Sequence, residues 1–172
     1  LFLSAHSPHS KKDEKFYQCP NCCLIYKDSR HWLCAEEEKK RYDEHNNDPN
    51  DPRYREYLTK AITPLLPYLS IGDNGLDFGS GPGPTLSLIF EEFGYLVKNY
   101  DPFYANDPNL LEQKYQFIVS TEVFEHLNNP ANVIEVIKGL LSKNGYLCLM
   151  TQIYSSEIDF NKWWYNARKR IN

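Results

Sequence analysis

The chain has 172 residues and a net charge of −4, with a pI of about 5.7. This acidic balance leaves no basic footprint for a nucleic-acid backbone, and the cationic stretch Lys162 to Arg170 is too short to outweigh it. No run approaches the ~18 consecutive apolar residues that cross a bilayer. The length suits one α/β domain with a small appendage. No signal-peptide pattern is present, so the cytoplasm is the expected location.

Residues 1–52 read as the appendage, polar and charged, and they hold Cys19, Cys22, Cys23 and Cys34. Cys19-Pro20-Asn21-Cys22 is a C-x-x-C knuckle, which lets two thiolates converge on a tetrahedral metal. A structural zinc needs four ligands, and a second C-x-x-C is not visible. Further ligands would come from Cys34, His31, Cys23, His6 or His9. The alternative is a set of free cysteines in a loop. Disulfides are not expected, because intracellular thiols stay reduced. Arg41 to Asn47 then leads through a Pro/Asp turn cluster to Tyr54 to Leu69, a helix broken near Pro64 and Pro67.

Residues 53–172 read as an α/β domain. A short apolar run precedes Leu76-Asp77-Phe78-Gly79-Ser80-Gly81-Pro82-Gly83-Pro84. Three glycines at alternate positions let the backbone turn tightly and approach a ligand. The dinucleotide pattern G-x-G-x-x-G/A fails here, since its third small residue would be Pro84. What stands in the chain is D-x-G-x-G-x-G. Leu86, Ile89, Phe90 and Phe93 follow at the spacing of an amphipathic helix, which Gly94 ends. Tyr95 to Tyr100 is expected as a strand closing on Asp101, near the ~20-residue interval at which an acid meets a ribose. The plainer reading of Asp101 is a turn residue before Pro102.

Phe117 to Ser120 is a short buried-type strand that runs into Thr121-Glu122-Val123-Phe124-Glu125-His126-Leu127. Pro130 opens a helix with a wide apolar face, from Val133 to Leu141. Asn144-Gly145 is a turn, and Tyr146 to Thr151 is a further strand that places Cys148 in the core. Ala105 to Asn109 is turn-like, so the crossover between Asp101 and the Phe117 strand is shortened or absent. The order of elements predicts a Rossmann-like, doubly wound parallel sheet, and the resemblance given below implies that it is truncated after the fifth strand of the usual pattern. The remaining residues, Gln152 to Asn172, do not look strand-like. A fragment or a naturally short chain is expected, and a homodimer would cover the open sheet edge.

The glycine loop, Asp101 and Thr121 to His126 together resemble class I S-adenosylmethionine-dependent methyltransferases. The last segment is similar to the family's S-x-E-V-L-E-H signature. The resemblance implies that Asp77, Gly79, Ser80, Gly81, Gly83, Asp101, Thr121 and Glu122 bind S-adenosylmethionine. The Cys19 to Tyr26 segment looks like the second cysteine pair of a subfamily with an N-terminal zinc-ribbon-like segment, whose first pair would fall before Leu1. Tyr42-x-x-His45-x-Asn47 is similar to that subfamily's segment over the cofactor cleft, which makes Tyr42 and His45 contact candidates; a solvated linker is the alternative. Cys19 and Cys22 are then zinc ligands.

The expected activity is methyl transfer to an O or N acceptor, a small molecule. His126 is the candidate base and Glu125 its orienting or metal-binding neighbour, the alternative being a His126 that caps or packs the following helix. A non-catalytic S-adenosylmethionine-binding protein and an NAD-dependent oxidoreductase are the other readings.

Overall fold

The computed structural model describes residues 2–5, 14–44, 47–155, 157–160 and 163. His6, His9, His45 and most of Lys162 to Arg170 lie outside the described residues. The chain divides into two compact units, 1–45 with 153–172, and 46–152.

In the first unit β1 (Phe2–Ala5), β2 (Glu14–Gln18) and β3 (Ile25–Lys27) form an antiparallel sheet in the order β1-β2-β3. Tyr17 and Tyr26 stack across β2 and β3 with centroids 5.7 Å apart. The turn that follows is tied by Asp28, which accepts from the Tyr17 hydroxyl at 3.0 Å and from the Arg30 guanidinium at 2.7 Å. These donors hold the Asp28 carboxyl well below the usual carboxylate range, the Arg30 bonds contributing most. Helix α1 (Ala35–Tyr42) starts where the Glu37 carboxylate accepts from the Cys34 amide at 3.2 Å. Tyr154, Phe160 and Trp163 join this unit through an aromatic cluster. Phe160 is buried and meets Phe16, Tyr154 and Trp163 at centroid distances of 5.2, 5.7 and 6.3 Å. The sequence reading places 153–172 with the α/β domain, because nothing local in Tyr154 or Phe160 says which core will take them.

The second unit is the doubly wound sheet. Helix α2 (Pro52–Ile62) begins with proline in its first turn and an Asp51 cap that accepts from the Arg53 amide at 2.9 Å. It stops before Pro64, and Leu66–Tyr68 makes one short 3-10 turn. Strands β4 (Asn74–Phe78), β5 (Leu96–Tyr100), β6 (Tyr115–Thr121) and β7 (Leu141–Met150) are all parallel, in the order β5-β4-β6-β7. Helix α3 (Thr85–Glu92) joins β4 to β5, and α4 (Pro130–Leu140) leads into β7. At the end of α3 the Gly94 amide donates to Glu91 O and the Tyr95 amide to Phe90 O, a Schellman closure that needs the left-handed φ of +84° at Gly94. The link from β5 to β6 contains only the short 3-10 helix Pro108–Glu112, so no strand stands there among the described residues.

Side chains alternate across β6, which puts Phe117 and Val119 on one face and Ile118 on the other. The first face is covered by α2 and α3 through Leu58, Ala61, Ile62, Leu86, Ile89 and Phe90. The second is covered by Ile137 and Leu140 of α4 with Leu110. Each of these large side chains stabilises the fold by roughly 1.5–3 kcal/mol when fully buried. The expected Asn144-Gly145 turn is absorbed into β7 as an irregularity. Leu141 pairs with Tyr115 and Tyr146 with Phe117, and Asn144 takes a left-handed φ of 65° between them.

Chain direction reverses its progress across the sheet between β5 and β6. This leaves a crevice beyond the carboxyl ends of β4 and β6, the position where open α/β sheets take ligands. Gly75 keeps β4 close to β6, since a Cβ there would run into the ring of Phe117. That ring is fully buried and leans on Phe90 at 5.1 Å, so it has little room to yield. Gly75→Ala is therefore expected to cost about 1–3 kcal/mol, read as a lower urea midpoint with the slope unchanged. An unaltered midpoint would refute the tight β4–β6 approach.

Candidate functional site

The glycine loop hangs between three backbone attachments at the tip of the sheet. The Gly79 and Ser80 amides both donate to the Tyr100 carbonyl at the end of β5, at 2.8 and 3.2 Å. The Gly81 amide donates to Oδ2 of Asp101 at 3.0 Å. Asp101 Oδ1 also accepts from the Phe103 and Tyr104 amides at 2.8 and 3.2 Å. One carboxylate thus closes the turn after β5 and anchors the loop after β4. Gly79 and Gly81 have φ of +88° and +65°, which side chains rarely tolerate.

The space that glycine leaves is used by the protein itself. A Cβ on Gly79 would overlap Val123 Cγ2, and a Cβ on Gly83 would overlap the Asn47 carbonyl. Val123 belongs to the Thr121 to His126 segment, so two motifs distant in sequence pack directly on one another. Ser120 adds a second tie, its Oγ donating to the Phe78 carbonyl at 2.8 Å.

Asp77 is almost wholly buried at the end of β4, and its Oδ1 has no hydrogen-bond partner among the described residues. Burial first, and then the charge of Asp101, pushes its carboxyl up to about 7. An acceptor buried without a donor is a costly feature that calls for an explanation such as a bound group. Tyr54 of α2 is raised to about 12, by burial and then by the Asp77 charge. Tyr57, one turn further on, is raised by burial, then by its hydrogen bond to the Glu122 carboxylate, then by the charges of Glu122 and Glu125. Helix α2 therefore carries two phenols toward the carboxyl ends of β4 and β6.

Thr121 is the last residue of β6, and Glu122 after it holds a left-handed φ of 54°. Its amide donates to the Met150 carbonyl at 2.8 Å, which fixes the strained bend to the neighbouring strand β7. Strain of this kind in a non-glycine residue concentrates at functional sites. Phe124–His126 forms a short 3-10 helix, with the His126 amide donating to Val123 O at 3.0 Å. Thr151 Oγ1 donates to Glu125 Oε2 at 3.1 Å.

A family model described as a methyltransferase domain matches residues 51–172. The chain belongs to this family. No curated protein matches it. The methyltransferase domain thus contains the glycine loop, Asp101 and the Thr121 to His126 segment, and the fold gathers all of them at one end of the sheet. The donor set also fits a cofactor that has a ribose and an amino-acid end. Asp101 offers oxygen acceptors at the tip of β5, and Asp77 offers an unpartnered one at the tip of β4.

Tyr42 lies on α1, in the other compact unit, and its hydroxyl donates to Glu38 Oε1 at 3.1 Å. The cysteine knuckle does form a tight turn. The Cys23 amide donates to Cys19 O at 3.0 Å, the Cys19 amide to Leu24 O at 2.9 Å, and Cys23 takes a φ of 61°. The amides of Cys22 and Asn21, and then the Cys22 thiol, pull the Cys19 thiol below its usual value. Among the described residues no group of three or more His, Cys, Asp or Glu could hold a metal ion, so Cys34, His31 and Cys23 do not complete a site with Cys19 and Cys22. Two thiols are half of a structural zinc site, and no role for zinc is derived from them. Among the described residues no helix is long and apolar enough to cross a membrane.

The site residues that sequence reading does not name as candidates are Tyr54, Tyr57 and Val123, while Asn47 stands in its Tyr42-x-x-His45-x-Asn47 motif without a role of its own. Their signal is tertiary, since each acts by lying against a loop distant in sequence.

The Asp77 proton has a measurable consequence. In the native state the carboxyl stays protonated up to about pH 7, whereas the unfolded chain releases the proton near the ordinary carboxylate pKa. Between the two the unfolded state binds fewer protons, so stability falls as pH rises, by about 1.4 kcal/mol per pH unit. Asp77→Asn removes this slope. Urea midpoints compared at pH 5 and pH 7.5 should fall more for the wild type than for the variant, and equal falls would contradict the buried protonated acid.

Proposed function

We propose that this methyltransferase domain uses S-adenosylmethionine to methylate a hydroxyl or amine of a small molecule. The observation that carries the reading is the hydrogen bond from the Gly81 amide to Asp101, where the two halves of the expected cofactor motif meet. When bound, the sulfonium donor supplies a methyl group already activated for in-line displacement, so the protein's task is alignment and proton removal.

Asp101 holds the ribose. Three of its roughly four lone-pair sites are engaged by backbone amides, which leaves about one for a ribose hydroxyl. Asp77 holds the ammonium group, which supplies the donor that its Oδ1 lacks and returns its carboxyl toward the charged form. Gly79, Ser80, Gly81 and Gly83 let the loop lie close beneath the donor, while Thr121 and Glu122 line its other side. His126 accepts the acceptor's proton as transfer proceeds. Glu125, fixed by Thr151, is the carboxylate beside it in the chain that orients the imidazole.

Calorimetric titration tests the donor. S-adenosylhomocysteine should bind in the micromolar range and NAD should not, with Asp101→Ala weakening S-adenosylhomocysteine at least tenfold. Binding of NAD alone would replace this reading with an oxidoreductase. The base is tested separately, by S-adenosylhomocysteine release in the presence of a panel of phenols, carboxylic acids and amines. His126→Gln should slow release roughly 100-fold or more while leaving cofactor affinity unchanged. Unchanged turnover would remove His126 from the chemistry.

A further inference from the structure

The chain before α2 makes an unexpected contact with the glycine loop. Asn47 stands over the loop's second half. A Cβ on Gly81 would come within 3.1 Å of Asn47 Nδ2, and one on Gly83 within 3.0 Å of Asn47 Cβ. Residues 47–51 are fastened as a strap along α3. At one end Thr85 Oγ1, in the first turn of α3, donates to the Asn47 carbonyl at 3.4 Å. At the other, Arg55 donates to the Pro49 carbonyl at 3.2 Å and pairs with Glu92, the last residue of α3, at 2.6 Å. A local turn stiffens the middle, where Asp48 accepts from the Asn50 amide at 2.9 Å.

The third glycine therefore admits the protein's own strap. It brings a side-chain amide, not just backbone, to the face of the loop. We propose that Asn47 is a cofactor-binding residue that hydrogen-bonds the zwitterionic amino-acid end of the methyl donor. The inference rests on the S-adenosylmethionine reading above.

Position and chemistry carry it. Asp101 ends β5, at one edge of the sheet, and its oxygens suit a ribose. Helix α2, into which the strap leads, packs on α3, β6 and β7, and α3, along which the strap runs, packs on β5. Asn47 lies against Gly81 and Gly83, next to the Gly81 amide that Asp101 holds. A carboxylate needs donors and an ammonium needs an acceptor. A side-chain amide has two donor hydrogens and a carbonyl oxygen, and so matches both. Asp77 by itself meets only the ammonium. Among the described residues the strap's own fastening runs through the Asn47 backbone carbonyl and not through its side chain.

The test compares two ligands that differ only at the end in question. S-adenosylhomocysteine has the amino-acid group, and 5′-methylthioadenosine keeps the adenosine and sulfur but lacks it. In calorimetric titration, Asn47→Ala should weaken S-adenosylhomocysteine about tenfold or more and change 5′-methylthioadenosine less than twofold. Asn47→Asp keeps the shape, replaces the donors with a negative charge, and should weaken S-adenosylhomocysteine at least as much. Wild-type melting temperatures in either variant establish that the strap still folds. Equal loss for both ligands, or no loss for either, would overturn the assignment of Asn47 and leave the methyltransferase reading standing. Failure of the wild-type protein to bind S-adenosylhomocysteine would instead overturn that reading, and this inference with it.

Discussion

The Asp101 carboxylate accepts three backbone amides, and two parts of the molecule depend on it. Through Phe103 and Tyr104 it closes the turn that ends β5. Through Gly81 it ties the loop of β4 to that turn. The acceptor is buried, where water competes poorly for these bonds. Without this anchor the loop would have only the two amide bonds to Tyr100. The site is thus built on a carboxylate that is structural before it meets any ligand.

A second carboxylate, Asp77, is held at a cost. It is buried, it feels the charge of Asp101, and among the described residues it lacks a donor for one oxygen. Fold stability alone would favour replacing it, since a buried unsatisfied acceptor destabilises by roughly 1–3 kcal/mol. The cation-binding role proposed for it would account for a carboxyl at the tip of the first strand of the parallel sheet. The strained backbone of Glu122 belongs to the same economy of a rigid scaffold around a locally unfavourable site. Packing of Phe117 between α2, α3 and the sheet keeps both features in place.

Much of the architecture is legible in local sequence. The helix stripe from Leu86 to Phe90, the Gly94 stop, Pro130 with its apolar face and the short crossover after Asp101 all appear in the fold where periodicity and turn chemistry put them. Boundaries move by a few residues where pairing extends a strand, as at Tyr115 in β6 and Leu141 in β7. The cysteine knuckle is also legible as a turn, although a metal site needs ligands that spacing alone does not bring together. The placement of Tyr154, Phe160 and Trp163 with the N-terminal sheet is not legible. An aromatic cluster such as Phe16, Tyr154, Phe160 and Trp163 is assembled from residues more than a hundred positions apart.

By itself the sequence determined the kind of protein. The D-x-G-x-G-x-G spacing, Asp101 and the Thr121 to His126 run resemble the motifs of a methyltransferase, and each can be read because it is local. Only the tertiary structure decided how those motifs meet and what surrounds them. Gly79 takes its value from Val123, Gly83 from Asn47, and the Asp77 proton from burial beside Asp101. Those relations depend on distances between segments that no local pattern encodes, and they separate a glycine-rich turn from a built site.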